Sequence, residues 1–437
     1  MVIGVRRRAG VFFQWVGLGI AVGIACGTAS AIFLALLERA TNFRQAHEWL
    51  VYCLPLAGLG IGFLYDHWGK PIKGGNNLVI DAIHENQAQL PLRMAPMVLV
   101  GTVLTHVFGG SAGREGTAVQ MGGSLADWIA HRLRVRPETR RQLLAAGIAG
   151  GFGSVFGTPI AGTIFGLEVV CVGRLEYHAL APALVASVVG DYVTRQFGIH
   201  HTAYPQLLPS ALTPLLLLKL CIIGVAMALA SVAFVELTQR LKRLLERTIR
   251  QLAYRMFVGG LTVVVLWKVL GSSDYLGLGV PLLVRSFSDS SVPAYAFAAK
   301  IVFTAVTLAS GFLGGEVTPL FVVGATLGSL LARLLELPIA LGAGVGIAAL
   351  FGAAANTPLA LSIMAVELLG AAAFPHVVIV SVVAYLLSGH RSIYPAQRIW
   401  RRKHGGAMLD SAIPLRDFHD SMAPSARHLS PTTETKT

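Results

Sequence analysis

TPIAGTIFGLE, residues 158–168, returns as TPLALSIMAVE, residues 357–367. Both copies start with Thr-Pro, an aliphatic residue and Ala, and both end on a glutamate after the same interval. Proline is favoured in the first turn of a helix, where its missing N–H is not needed. The copies lie about 200 residues apart, so the pattern predicts two related halves, each with a helix that begins at Thr-Pro.

A Gly-rich turn and an apolar helix precede each copy, over Gly109–Ala126 and Gly314–Ala332. Both helices contain Gly-Ser-Leu near their ends, at Gly123 and Gly328. Transporters with duplicated halves place their binding site at the interface, where helices are interrupted in mid-membrane. The alternative is that the small residues only let helices pack closely.

The composition excludes a soluble protein. Only 13% of the 437 residues are charged, against roughly 25% in a typical soluble domain. Apolar stretches of membrane-spanning length recur along the chain. They cover 11–36, 95–111, 141–172, 210–235, 256–271, 297–313, 320–354 and 372–388. We therefore expect an all-α, polytopic membrane bundle of ten or more helices, the first of which is not a cleaved signal peptide.

The net charge of +13 suggests a nucleic-acid partner in a soluble protein, but here it is better explained by membrane topology. Basic clusters flank apolar segments at Arg6–Arg8, Arg132–Arg141, Arg240–Arg255 and Arg398–Lys403. Such clusters mark cytoplasmic helix ends. Both termini are expected in the cytoplasm, and no nucleic-acid partner is expected.

Residues 236–255 alternate leucines with Arg and Lys, which predicts an amphipathic helix on the cytoplasmic surface. This segment divides the chain into a first membrane half, 1–235, and a second, 256–403. The polar tail, 404–437, is expected to be a short and largely disordered extension.

Four glutamates lie in or beside apolar segments, where an ionisable side chain is costly and suggests a function. Glu115 and Glu316 follow the Gly-rich turns, and Glu168 and Glu367 end the repeats. A helix start offers free N–H groups and a positive dipole end, so it can bind an anion. Glu115 could occupy that site when ionised and leave it when protonated; the alternative is a simple helix cap. For Glu168 and Glu367 a capping or packing role is the favoured interpretation.

No enzyme, metal or cofactor site is expected. The 13 histidines are scattered, and neither HExxH nor GxSxG occurs. The glycines of 151–157 lack the Lys-Ser or Lys-Thr ending of a phosphate-binding loop. An intramembrane enzyme and a nucleotide-regulated transporter are therefore disfavoured.

These motifs resemble the CLC family of chloride channels and anion/proton antiporters. Gly113-Arg114-Glu115-Gly116 is similar to the family's G-(K/R)-E-G-P, and residues 314–319 are similar to G-x-F-x-P. Residues 73–78 stand where G-S-G-I-P is expected, and Tyr394 matches the late tyrosine that lines the anion site. The resemblance implies two inverted, internally repeated halves with interrupted helices, a homodimer with one pathway per subunit, and Glu115 as the gating glutamate.

The departures from these motifs resemble the fluoride/proton antiporter branch of the family. The serine of the first motif is missing, and Val169 stands where an inner, proton-relaying glutamate is expected. In that branch the glutamate and threonine of the third motif serve coupling, which here implies Glu316 and Thr318. The implied anion-binding residues are Gly75, Asn76, Asn77, Gly113, Arg114, Gly116, Val317 and Tyr394. A one-residue shift of the first motif exchanges Gly75 and Asn76, so the choice among them stays open.

The sequence therefore predicts a proton-coupled fluoride antiporter that exports fluoride across the bacterial plasma membrane. Its partners are fluoride, protons and the lipid bilayer. The alternative is a chloride channel or chloride/proton antiporter with the same fold.

Overall fold

The computed structural model describes residues 2–85, 89–208, 211–403, 405, 409 and 411–418, with the backbone alone for 2–11. The helices before residue 200 are α1 Val2–Ala46, α2 Leu54–Trp68, α3 Asn76–Glu85, α4 Met94–Val107, α5 Glu115–Arg132, α6 Pro137–Phe156, α7 Pro159–Glu168 and α8 Leu180–Gln196. Those after it are α9 Pro214–Thr248, α10 Leu252–Leu270, α11 Val280–Arg285, α12 Ala296–Ala309, α13 Val317–Leu334, α14 Ile339–Ala355, α15 Pro358–Leu369, α16 Phe374–Leu387 and α17 Leu415–Phe418.

The predicted all-α membrane bundle is confirmed. Among the described residues, strand structure is confined to one small sheet of two-residue strands, β1 Cys171–Val172, β2 Arg398–Ile399 and β3 Ile413–Pro414. Strand β2 pairs parallel to β1 and antiparallel to β3. Five helical segments in the described chain are long and apolar enough to cross a membrane. They are Phe12–Ala46, Glu48–Trp68, Pro214–Thr248, Leu252–Leu270 and Val317–Leu334.

The repeat copies fold as matching helix breaks. Helix α6 ends before Gly157 and α14 ends before Asn356, and both of these residues adopt the left-handed conformation. A Thr-Pro pair follows in each case and starts α7 or α15, with the proline at the first helical position. The predicted interruptions therefore lie where the sequence placed them.

The two short helices cap each other across the halves. The Glu168 carboxylate at the end of α7 accepts the N–H groups of Leu359 and Ala360, at 3.2 and 2.7 Å. The Glu367 carboxylate of α15 accepts those of Ile160 and Ala161, at 3.0 and 2.7 Å. Since each helix end meets the other's start, the two copies run antiparallel, as inverted halves require. Both glutamates make the capping contacts favoured from the sequence.

Facing glycines bring helix α5 into close backbone contact with α6, and helix α13 with α14. In the first half, a Cβ on Gly122 of α5 would overlap the carbonyl oxygen of Gly147 on α6. In the second half, a Cβ on Gly324 of α13 would overlap that of Gly346 on α14. Small residues thus set the helix spacing on both sides of the bundle.

The segment predicted as a separate linker helix, 236–255, is not one. Residues 236–248 continue α9, and the break falls at Ile249, whose backbone is extended, before α10 starts at Leu252. No glycine or proline interrupts the sequence between Val225 and Thr248, so nothing local ends the helix there. The division of the chain into halves at 235 and 256 stays a prediction.

The expectation of a disordered tail from residue 404 is wrong for residues 413–418. Strand β3 and helix α17 pack onto β2, and Leu415 and Phe418 are buried against Val172 and Ile399. Fully burying one such side chain contributes roughly 1.5–3 kcal/mol, which offsets the polarity of the surrounding sequence. Residues 419–437 lie outside the described part of the chain.

Basic residues from different clusters gather at one end of the bundle. The Arg141 guanidinium donates to the Ile83 carbonyl in the last turn of α3, at 2.6 Å, and Arg398 donates to Glu85 in the same turn, at 2.6 Å. Arg391 donates to Glu236, twelve residues before the end of α9, at 2.7 Å. We call this the basic end; that it faces the cytoplasm stays a prediction.

Candidate anion pathway

The two Gly-rich turns lie directly against each other at the centre of the bundle. The Gly113 N–H donates to the Gly315 carbonyl at 2.6 Å, and the Gly315 N–H donates back to the Gly113 carbonyl at 2.8 Å. This bridge brings together the starts of α5 and α13, which the sequence separates by about 200 residues. Two helix N-termini, each with unpaired N–H groups and a positive dipole end, therefore share one site.

Glu115 is the first residue of α5, and its side chain has no solvent-exposed area. Its carboxylate accepts hydrogen bonds from the backbone N–H groups of Thr318 and Arg114, both at 3.1 Å. It also accepts a hydrogen bond from the Thr318 hydroxyl. The donors come from both helix starts. The site thus already binds one carboxyl group through neutral donors, with the Arg114 Nε 3.6 Å away.

The residues around this carboxylate are mostly those predicted. Val317, the first residue of α13, and Gly116, the second of α5, are both buried. The Arg114 guanidinium lies 6.0 Å from the centre of the Phe156 ring, a cation–π geometry.

The first motif supplies a third helix start to the same place. Gly75 has φ +54°, a left-handed conformation, and α3 begins at the next residue, Asn76. A Cβ on Gly116 would lie 2.9 Å from Asn76 Nδ2 and 3.8 Å from Glu316 Oε2, so both side chains border that glycine. Asn76 Oδ1 and Glu316 Oε2 are buried and have no hydrogen-bond partner among the described residues. These groups remain available to a ligand or a proton.

Asn77 differs from its neighbour. Its Oδ1 accepts the backbone N–H of Ala396 at 3.0 Å, so the side chain is occupied by a contact within the protein. Of the two predicted asparagines, the structure brings only Asn76 to Gly116.

Tyr394 joins the site from the far end of the chain. It is 3% exposed, packs edge-on to Phe165, and lines one cavity together with Asn76 and Glu316. The late tyrosine therefore lies beside the first and third motifs, as the resemblance implied.

Two cavities approach this centre from opposite ends. The cavity at the basic end, of about 260 Å³, is also lined by Lys242 and Arg255, near the end of α9 and the start of α10. The other cavity, of about 210 Å³, is lined by Arg114, Glu38 and His200. His200 precedes the start of α9, whereas Lys242 lies near its end. Because α9 is 35 residues long, or about 50 Å, the two cavities open at opposite ends of this helix. The buried Glu115 carboxylate lies between the two cavities.

Two further polar residues near the site escaped sequence analysis. Gln120 lies beside Gly75 and lines the larger cavity. Lys300 of α12 is fully buried, and its ammonium donates to Ser111 Oγ at 2.9 Å and to the carbonyls of Tyr275 and Gly277. Ser111 belongs to the turn before Glu115. The signal for Lys300 was present, since it is an ionisable residue within an apolar helix.

Residues 57–389, more than half of the chain, match the sequence family described as voltage gated chloride channel. The chain belongs to this family, the CLC family of membrane ion transporters. A "Chloride/fluoride channel protein" from Pseudomonas syringae pv. tomato is 47% identical over 420 residues, which cover 94% of this chain and 92% of that relative. An "H(+)/Cl(-) exchange transporter ClcA" from Vibrio vulnificus is 27% identical over 346 residues, covering 73% and 72%.

Solved structures of CLC proteins share the fold. The crystal structure of a CLC-type fluoride/proton antiporter superposes with a TM-score of 0.86 and 37% identity, over 89% of this chain and 98% of that one. A slow cyanobacterial Cl⁻/H⁺ antiporter gives a TM-score of 0.75 at 19% identity, over 86% and 94%, and so supports the fold alone. The predicted CLC fold of this chain is therefore confirmed.

Proposed function

We propose that this CLC transporter is a proton-coupled fluoride antiporter that exports fluoride across the bacterial plasma membrane. The observation that carries the proposal is the position of the Glu115 carboxylate. It accepts hydrogen bonds from the N–H and the hydroxyl of Thr318, where two helix starts meet. A small anion that replaced the carboxylate would meet the same donors.

This arrangement links anion movement to proton movement. The ionised Glu115 competes with an anion for the donors, whereas the protonated side chain carries no charge to hold it there. Glu115 thus alternates between binding the site and taking up a proton, and each exchange moves one anion against protons. Glu316 accepts or stabilises the proton within the pathway, because its free carboxylate oxygen borders both Gly116 and the larger cavity.

Fluoride is favoured by the donor chemistry. It is small, strongly hydrated and a strong hydrogen-bond acceptor, so its water must be replaced by close donors. The Asn76 amide, the Thr318 hydroxyl and the Tyr394 hydroxyl are assigned this task. The fluoride/proton antiporter structure supports the same ion, and the name of the Pseudomonas relative includes fluoride beside chloride.

Chloride is the second candidate, since the Vibrio relative is named as an H⁺/Cl⁻ exchange transporter. Against chloride, the first motif lacks the serine of the chloride-type motif, with Gly75 or Asn76 at its position, and Val169 replaces the inner glutamate.

Efflux from proteoliposomes decides between the two ions. Vesicles loaded with fluoride or chloride are followed with ion-selective electrodes while external pH reports proton entry. We expect fluoride to leave at least about ten times faster than chloride, a difference of about 1.4 kcal/mol in barrier, and to alkalinise the external medium. Faster chloride efflux would select the alternative, and fluoride efflux without alkalinisation would reject the coupling.

The proposal extends to assembly and orientation. As the family resemblance implies, the protein acts as a homodimer with one pathway per subunit. The basic end faces the cytoplasm together with both termini, which is supported by the gathering of Arg141, Arg391 and Arg398 at that end.

A further inference from the structure

One stripe of α3 contacts the C-terminal part of the chain. Asn77, Asp81 and Glu85 are spaced by four residues and therefore lie on one helix face. Each accepts a hydrogen bond from a later segment. The Ala396 N–H donates to Asn77 at 3.0 Å, and the Arg416 guanidinium donates to Asp81 at 2.9 and 3.2 Å. The Arg398 guanidinium donates to Glu85 at 2.6 Å. Three successive turns of α3 are thus fixed to Ala396, Arg398 and Arg416.

The same C-terminal residues bind the turn that follows Tyr394. The Arg416 N–H donates to the Pro395 carbonyl at 2.9 Å, and the Leu415 N–H donates to the Gln397 carbonyl at 2.8 Å. The Gln397 side chain is buried and donates to carbonyls at the ends of α7 and α14. Residues 413–418, which we call the C-terminal clasp, therefore join α3 to the Tyr394 turn.

Each of the two elements that the clasp joins has its first residue in the anion pathway. Helix α3 begins at Asn76, and residues 394–398 begin at Tyr394, and both residues line the larger cavity. A shift of either element would move a proposed fluoride donor. Apolar contacts also anchor the clasp, because Leu415 and Phe418 are buried against Val172 and Ile399.

We propose that the C-terminal clasp sets the geometry of the anion site, with Arg416 as a positioning residue that aligns Asn76 with Tyr394. The role of the clasp rests on the proposed fluoride transport only in the first of the two tests below, which measures fluoride efflux.

The Arg416–Asp81 pair suits this role better than a purely stabilising one. The two side chains are 42% and 18% exposed, and ion pairs near the surface contribute little net stability. The bidentate geometry nevertheless fixes their relative orientation. Removing the guanidinium should therefore loosen the alignment while the buried part of the clasp stays folded.

The first test compares Arg416→Ala and Arg416→Lys with Arg247→Ala in proteoliposomes. Arg247 is an exposed arginine of α9 whose side chain makes no hydrogen bond or ion pair with a described residue, so it controls for the loss of one positive charge. We expect Arg416→Ala to raise the KM for fluoride efflux about tenfold, since a small misplacement of donors is costly. Arg416→Lys should give an intermediate KM, and maximal turnover should change less than KM in both variants. An unchanged KM in Arg416→Ala, or an equal rise in Arg247→Ala, would overturn the proposal.

The second test does not depend on the transported ion. Hydrogen–deuterium exchange of the full-length protein in detergent reports the protection of the Ala396 and Gln397 amides and of α3. We expect exchange there to be several-fold faster in Arg416→Ala than in the wild type, with no change in α13. Unchanged exchange would reject the clasp even if fluoride transport is confirmed. If the wild type moves no fluoride, the function fails while this measurement still decides the clasp.

Discussion

Asn76 and Asn77 show what a single residue step decides in this site. From the sequence alone, a one-residue shift of the first motif leaves the anion-facing side chain open, because neighbouring helix residues point in directions about 100° apart. In the structure, Asn77 accepts the Ala396 N–H, a contact 319 residues along the chain, while Asn76 borders Gly116 and Glu316. No local pattern could have assigned that distant contact.

We predict different phenotypes for the two asparagines. Asn76→Ala should reduce fluoride transport roughly tenfold or more, since a hydrogen bond to a charged group is worth about 1.5–3 kcal/mol, with little change in Tm. Asn77→Ala should lower Tm, because the buried Ala396 N–H loses its acceptor at a cost of about 1–3 kcal/mol. Efflux assays and thermal unfolding in detergent measure the two effects. Wild-type fluoride transport by Asn76→Ala would remove this residue from the site.

At the scale of elements, the sequence predicted the broken helices well and their partners poorly. The repeated Thr-Pro start and the Gly-rich turns located α5, α7, α13 and α15, because proline and glycine act on the backbone locally. The reciprocal caps of Glu168 and Glu367 join residues about 190 to 210 positions apart, which only the packing of the two halves determines. The end of α9 was predicted as a separate surface helix because its composition becomes amphipathic and basic there, although no glycine or proline ends the helix.

The reciprocal caps predict matched losses of stability. Glu168→Ala leaves the Leu359 and Ala360 N–H groups without their acceptor, and Glu367→Ala does the same to Ile160 and Ala161. Each variant should lose about 1–3 kcal/mol and unfold at a lower temperature, by similar amounts. Glu138→Ala, which removes an exposed carboxylate from the first turn of α6, serves as the control. A wild-type Tm in either capping variant would show that the caps contribute no stability.

Two inverted halves bring helix starts from distant parts of the chain to one buried point. The repeat, the four glutamates and the family resemblance were sufficient to predict this architecture and most residues of the candidate site. They could not reveal the C-terminal clasp, because residues 413–418 lie within a polar stretch of sequence. These residues fold only by packing against α3 and β2. Nor did they reveal Lys300, whose partners are mostly backbone carbonyls.

Proton flux in Glu115→Gln proteoliposomes tests whether the Glu115 carboxylate and fluoride compete for the same donors. The amide keeps the size of the side chain but can neither ionise nor carry a proton. We predict that a fluoride gradient which drives protons into wild-type vesicles drives none into vesicles with this variant. Proton entry at the wild-type rate would contradict the account.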